Sequence, residues 1–495
     1  MTSRAVTCLA AGLVLALAGC RKTEPYQTPS APRPEAYKEA LPDSFKESAQ
    51  AHTSKDWKAS APADIAAKGK WWEAFHDPAL NALEDSVDVS NQSLKSAEAR
   101  FRQARALIRE NRSARYPTVT GGASISRDRL SLSRGAPVPA SETAYGDFNL
   151  GFDAEYEVDL WGRVRNLIAA SVESAQATAA DIEAVRLSLH AELALDYFDL
   201  RSLDDERRIL DRAVEAYGQA LALTRRRFEG GVANQVEVAE AETQLEATRA
   251  QQIDIAERRA QFEHALAVLT GQTAESFSLI ENNAPLTPPV IPAGVPSDLL
   301  ERRPVIAAAE RRVAVANSQV GLTKAAFFPT VMLGLSAGLE GSSFANWFNW
   351  PSRLWALGPS AAQTLFDAGR RRAAREGATA NYDAAVADYR QSVLSSFQQV
   401  EDHIASLRVL EGESRRQKLA VAAAHRSEML SLNRYKGGLV TYLEVATAQT
   451  VTLQNERVQE DIARRQMEAS VLLIKTLGGG WDAKSLPTAE QLAAR

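Results

Sequence analysis

Hydrophobic and polar residues follow two different periods along this chain, and each period predicts its own kind of element. The cleanest stretch runs from Phe148 to Leu160. Phe148, Leu150, Phe152, Ala154, Tyr156, Val158 and Leu160 occupy one parity, and Asn149, Gly151, Asp153, Glu155, Glu157 and Asp159 the other. Strict alternation marks a strand with unlike faces, and here an apolar face backs onto an acidic one. Val119, Gly121, Ala123 and Ile125 alternate more weakly with Thr118, Thr120, Gly122, Ser124 and Ser126. Val331, Leu333, Leu335, Ala337 and Leu339 alternate with Thr330, Met332, Gly334, Ser336 and Gly338. A fourth strand is expected around Trp355, Leu357 and Leu365, although Gln363 stands where Tyr156 would fall.

Elsewhere the period is helical. From Gly162 and again from Gly369 a helix pattern runs to a Gly-Gly pair, about 63 residues or roughly 95 Å at 1.5 Å per residue. The first of these carries two seams on roughly opposite sides. One consists of Ile168, Val172, Ala175, Ala179, Ile182, Leu189 and Leu193, the other of Ala177, Ala180, Ala184, Leu187, Ala191, Ala194 and Phe198. A helix with a neighbour on each side needs both. Helices return from about Ala233 to Thr270 and Val440 to Leu477. Shorter ones, Ser93 to Arg115 and Val305 to Ala326, stop before Tyr116-Pro117 and Phe328-Pro329, because proline forces the preceding residue to be extended. A short and a returning helix stacked end to end would match one long helix in height, as the wall of a tall cylinder requires.

The chain is thus written twice. Arg227, Gly230, Gly231, Glu237, Val238, Ala239, Ala241 and Thr243 recur at one fixed offset as Arg434, Gly437, Gly438, Glu444, Val445, Ala446, Ala448 and Thr450. The same offset relates Gly162-Arg163 to Gly369-Arg370 and Gly271 to Gly478, and a slightly larger one relates the two aromatic-Pro pairs. Such self-similarity means a duplicated structural unit. The expected organisation is a signal peptide at 1–19, a tether at 20–66, a first repeat at 67–285 with its hairpin at 117–160, a second repeat at 286–480 with its hairpin at 329–366, and a tail at 481–495.

Composition narrows the function. A net charge of −5 with 24% charged residues shows no basic excess, which argues against nucleic acid as a partner. At the start, Arg4 precedes an apolar run from Ala5 to Ala18 that is too short to span a bilayer and reads as an export signal. Leu17-Ala18-Gly19-Cys20 resembles a bacterial lipobox, which implies cleavage before Cys20 and a covalent lipid on it. The loss of Cys8 would leave Cys20 as the sole mature cysteine, so no intramolecular disulfide can form. No other segment is apolar for 18 residues, so any crossing of a membrane must be made by strands. Four strands cannot close around water, and open edges are forbidden in lipid. Three chains would supply twelve strands and a wide lumen. Asp153, Glu155, Glu157 and Asp159 would then face the lumen, and Phe148, Leu150, Phe152, Tyr156 and Trp355 the lipid.

Together the lipobox, WWEAFHDPALNAL, ARYPTV, DLWGR, AERRVAVANSQVGLTKAAFFPTV, LFDAGR and RYKGGLVTYLEV resemble the outer membrane efflux lipoproteins of the TolC superfamily, over nearly the whole chain from Trp71 to Gly479. The resemblance implies a mainly α fold with membrane β: a trimeric twelve-stranded β-barrel continuing into a twelve-helix periplasmic α-barrel. It further implies an exit duct for small toxic compounds, drugs or metal ions. A periplasmic adaptor and an inner membrane pump of the resistance-nodulation-division (RND) class would be its partners, with outer membrane lipids around the barrel. Gly230, Gly231, Gly437 and Gly438 would form the turns at the periplasmic tip. Acidic residues just after the second turn narrow the entrance in that family. Glu444 holds such a position, Glu237 is its equivalent in the first copy, and Thr447 replaces the next acid.

Two rivals stay open on sequence alone: a type I protein-secretion channel of the same fold, and a periplasmic adaptor lipoprotein. Catalysis finds no support, because six scattered histidines show no metal-ligand spacing. No cofactor is expected beyond the lipid, and Met332, Met429 and Met467 form no cluster that would recommend a soft metal.

Overall fold

A computed structural model describes residues 26–32, 34, 37–39, 69–129, 131, 144–282, 284–289, 291 and 299–493. The signal peptide, Cys20 and most of the tether lie outside the described residues.

The chain enters through a 3-10 turn, Trp71–Phe75, and helix α1, Pro78–Ser90. This helix is absent from the sequence reading, yet its start is well marked: the Asp77 side chain accepts from the Ala79 and Leu80 amides, and Pro78 occupies the first turn. Asn91 closes α1 and caps α2, Gln92–Ser113, by accepting from Ser93 and Leu94. Strands β1, Thr118–Arg129, and β2, Ala144–Glu157, follow. Then come α3, Arg163–Glu229, and α4, Gln235–Leu269. The second copy comprises α5, Leu299–Arg302, α6, Pro304–Ala325, β3, Thr330–Gly341, β4, Arg353–Ala362, α7, Arg370–Lys436, and α8, Tyr442–Thr476. A short α9, Ala489–Ala493, ends the described chain.

Helices α3 and α7 each hold 67 residues, about 100 Å. The stacked helices beside each hold 22 and 35 residues, so the expected matching of heights is realised. Helix α3 packs against α2 and α4 of its own copy and also against α6 and α8 of the other. Its two seams are accordingly covered: Ile168, Val172, Ala175, Ile182, Leu189 and Leu193 are buried on one, Ala177, Ala180, Ala191, Ala194 and Phe198 on the other. Helix α7 packs against α6 and α8 alone among these columns. It buries Val393, Val400, Ile404, Leu407 and Leu410, while Leu394, Val409, Leu419, Met429 and Leu430 stay exposed.

The four strands form one antiparallel sheet in the order β1-β2-β3-β4. Beyond the tether's start, Tyr26 donates to the Glu310 carbonyl, Arg390 to the Ser30 carbonyl, and the Lys38 and Glu39 amides to the Glu401 carboxylate. This segment is therefore laid down along α6 and α7. The tail likewise crosses the first repeat, with Leu492 buried among Ile108, Ile168 and Val172.

Candidate functional site

The register decides which side chains share a face. Directly paired residues point to the same side of a sheet, so the row Gly121–Phe152–Ala337–Trp355 lies on one face. Ile125–Phe148, Ala123–Leu150–Leu339, Val119–Ala154–Leu335–Leu357 and Tyr156–Leu333–Pro359 lie on that same face. From the Tyr156 row to the Phe148 row is about 27 Å along the strand at 3.4 Å per residue, the dimension of a membrane strand's apolar band. The other face carries Thr120, Ser124, Asn149, Asp153, Glu155, Ser336 and Ser360. Phe148, Leu150, Phe152, Tyr156 and Trp355 thus share the apolar face, as the alternation requires.

Two expectations are corrected at the strand ends. The ladder of β2 stops at Glu157, so Asp159 is not a strand residue. Its carboxylate accepts from the Arg165 amide at 2.9 Å and pairs with the Arg165 guanidinium at 3.2 Å. Past the ladder's end the alternation is held by one further backbone bond, from the Val158 amide to the Val331 carbonyl at 2.9 Å, and then by this ion pair. Glu157 keeps its strand position but faces Arg163, which donates from Nε at 2.7 Å. Strand β4 stops at Ala362, which leaves Gln363 and Leu365 outside it and shortens the expected second hairpin. The hairpin bases are joined by Trp161, which stacks on Phe328 at 4.7 Å and donates to the Pro329 carbonyl at 2.8 Å.

At the far end of the long helices stand the two glycine turns. Gly231 and Gly438 adopt φ of +71° and +76°, a left-handed conformation that glycine takes without strain. Gly230 and Gly437, by contrast, keep negative φ and cap the long helices. A small cluster ties the hairpins together. Tyr435, buried, shares a hydrogen bond with Thr224 at 3.0 Å and donates to Glu237 at 3.4 Å. The Arg227 guanidinium bonds the Tyr435 carbonyl and lies over its ring. Burial raises the Tyr435 phenol above its ordinary value, against the pull of the Thr224 bond, so it stays a donor. Glu237 thereby belongs to a contact between hairpins. Glu444 is paired with Arg434 at 2.7 Å in its own hairpin, and its side chain is 39% exposed. Thr447 turns back onto the Leu443 carbonyl.

Between sheet and tip, one of the scattered histidines enters a buried structural pair, while His425 pairs with Glu456 at 3.1 Å near the surface. His190 meets Glu84 at 2.6 Å under the stacked ring of Trp72, and burial pushes Glu84 up to about 7 against the opposing His190 bond. Sequence reasoning missed this pair because Glu84 sits on the unforeseen α1. Among the described residues no cluster suits a metal ion, and no helix is long and apolar enough to cross a membrane.

Residues 84–272 and 295–479 match the family model described as outer membrane efflux protein, one match per repeat. The chain belongs to the outer membrane efflux protein family. The solvent efflux pump outer membrane protein SrpC of Pseudomonas putida is 31% identical over 478 residues, covering 94% of this chain and 97% of its own. The pyoverdine export outer membrane protein OpmQ of the same species is 32% identical over 420 residues, covering 84% and 89%. The solved outer-membrane channel OprN superposes with a TM-score of 0.81 at 28% identity, covering 93% of this chain and 99% of its own. As an outer membrane efflux protein, the chain is a channel subunit that spans the outer membrane and extends into the periplasm. The adaptor reading is thereby set aside.

Proposed function

We propose that three copies of this efflux protein close a twelve-stranded barrel through the outer membrane and continue it as a twelve-helix tunnel. An inner membrane RND pump, acting through a periplasmic adaptor at the tip, would discharge small toxic compounds into this passive duct. The observation that carries the reading is a four-stranded sheet with free edges at β1 and β4, apolar on one face and acidic on the other. Such a sheet is stable in lipid only as part of a closed ring. The exposed stripe on α7, opposite a fully seated α3, gives independent support, because it leaves the helical wall with an uncovered side of the same kind. Asp153 and Glu155 would then line the water-filled lumen. Glu444 and Glu237, at the tip, would govern the periplasmic entrance, and Cys20 would carry the lipid. Relatives named for solvent and pyoverdine export favour small organic cargo over metal ions.

Native mass spectrometry of the protein extracted from membranes in detergent tests this directly. A trimer whose subunits begin at an acylated Cys20 is expected. A monomer would sink the barrel, and a trimer without acyl mass would remove the anchor alone.

A further inference from the structure

Charged side chains of the four strands obey one rule of placement. Asp128, Asp147, Asp153, Glu155, Glu157 and Glu340 all lie on the polar face by register. Arg127, Arg129 and Arg353 all lie on the apolar one. Arg127 and Arg129 sit one and two pleats beyond the Ile125–Phe148 row, whereas Arg353, paired with Leu339, opens β4 in the Ala123–Leu150 row just inside it. All three therefore stand at the hairpin end of the sheet, away from the helices. The neighbouring acids Asp128, Asp147 and Glu340 point to the opposite side.

The β3–β4 loop turns back over this same outer surface. Trp347 packs against the Phe148 ring at 5.7 Å and donates to the Leu339 carbonyl at 3.3 Å. A Cβ on Gly341, an outer-face position, would lie 3.2 Å from the Trp347 Cα. Phe344, Phe348 and Trp350 are left exposed around it, and the Arg353 guanidinium covers the Trp350 ring. Aromatic rings beside cations, immediately above an apolar band, form an interfacial surface with a demand for anions.

We infer that Arg127, Arg129 and Arg353, with the aromatic shelf of the β3–β4 loop, bind the phosphorylated glycolipid of the outer leaflet. The inference rests on the barrel reading above. Guanidinium groups grip phosphate through paired N–H donors, and the rings suit the boundary between headgroup and acyl chain. Two features select this occupant: the surface is continuous with the lipid-facing band, and its charge is opposite to a phosphate's. Ring closure strengthens the site, since β1 ends and β4 begins with these arginines, and joining the two free edges gathers them at each seam.

The test titrates purified trimers in detergent with diphosphorylated lipid A, with its dephosphorylated form and with phosphatidylglycerol, reading bound lipid by native mass spectrometry. The wild type should prefer the diphosphorylated glycolipid by about tenfold or more over either alternative, because several cations meet its two phosphates at once. Combined Arg127→Gln, Arg129→Gln and Arg353→Gln should abolish that preference in trimers that still form. Equal wild-type affinity for both forms of lipid A overturns the proposal without any variant having to fold, and equal binding of phosphatidylglycerol overturns the choice of glycolipid. A persistent preference in the triple variant overturns the arginine assignment. Failure to recover trimers would count against the barrel and leave a different signature, visible before any lipid is added.

Discussion

Gly271 and Gly478 are equivalent positions in the two copies, and each ends its returning helix with its backbone pressed onto a short leading helix. Gly271, at φ +71°, would place a Cβ 2.6 Å from the Ser90 carbonyl oxygen, and Gly478, at φ +97°, would meet the Arg302 carbonyl in the same way. Both obstacles are main chain, so neither can rotate aside. Gly478→Ala should cost about 1–3 kcal/mol from left-handed strain alone, with the carbonyl contact added, and should lower the thermal unfolding midpoint followed by circular dichroism. Gly377→Ala, near the start of α7 with nothing near its missing Cβ, should instead be neutral or stabilise by about 0.5–1 kcal/mol. Equal midpoints for the two variants would refute the contact. The recurrence of these glycines is visible in the sequence, but its reason is not, because the carbonyls belong to α1 and α5, which no long periodicity announces. Trp161 is similar: its motif stands out, yet the carbonyl that fixes it, Pro329, lies 168 residues away.

Among the elements, the parity of β2 could be read from the sequence because its two faces are chemically unlike, one apolar and one acidic, and a slip by one residue would exchange them. Its end could not be read, since the polar alternation runs on through Asp159, which serves the Arg165 ion pair and not the sheet. Helix bounds shift for a like reason. The long helices run right up to the glycines and are a few residues longer than the pattern predicts, whereas the returning helix α4 starts later than predicted, at Gln235, because the Asn234 side chain caps it at the Glu237 amide. The apolar face yields a direct test. Phe152, 58% exposed in the isolated subunit, sits in mid-band beside Gly121 and Ala337. Phe152→Asp places a carboxylate among lipid chains, where its cost, though below the roughly 2–4 kcal/mol of a lysine or arginine at mid-bilayer, would be imposed three times per barrel by threefold symmetry. Trimers resistant to mild detergent should be lost from the outer membrane fraction on gel analysis, while Asp153→Asn, on the other face, should leave them intact. Normal trimers from Phe152→Asp would mean that this face does not meet lipid.

The whole molecule brings these pieces to bear on the entrance. Among the contacts that join the hairpins within a subunit, a latch runs through Tyr435, Thr224 and Glu237 at the tip, with Tyr442 donating to Gln244 and Tyr217 to the Gln449 carbonyl further along; the Glu444–Arg434 pair decorates one hairpin alone. A carboxylate paired at 2.7 Å with a guanidinium contributes little net field at a distance, so threefold symmetry around the tip would produce a ring of dipoles more than a ring of bare charge. That distinction makes the two partners separable. Glu444→Ala would expose three unpaired Arg434 cations, and Arg434→Ala three unpaired Glu444 anions, at the same aperture. In planar bilayers the first should shift selectivity towards anions and raise conductance, because the pair no longer pins Arg434 back onto its hairpin. The second should shift selectivity towards cations. Opposite displacements of the reversal potential, measured across a salt gradient, place Glu444 at the constriction, while potentials unchanged in both variants would place it on the outer surface of the tip. Closure would then rest on the contacts between hairpins, and Tyr435→Phe, which removes the hydroxyl shared with Thr224 and Glu237 and spares the ring, would become the variant that raises conductance.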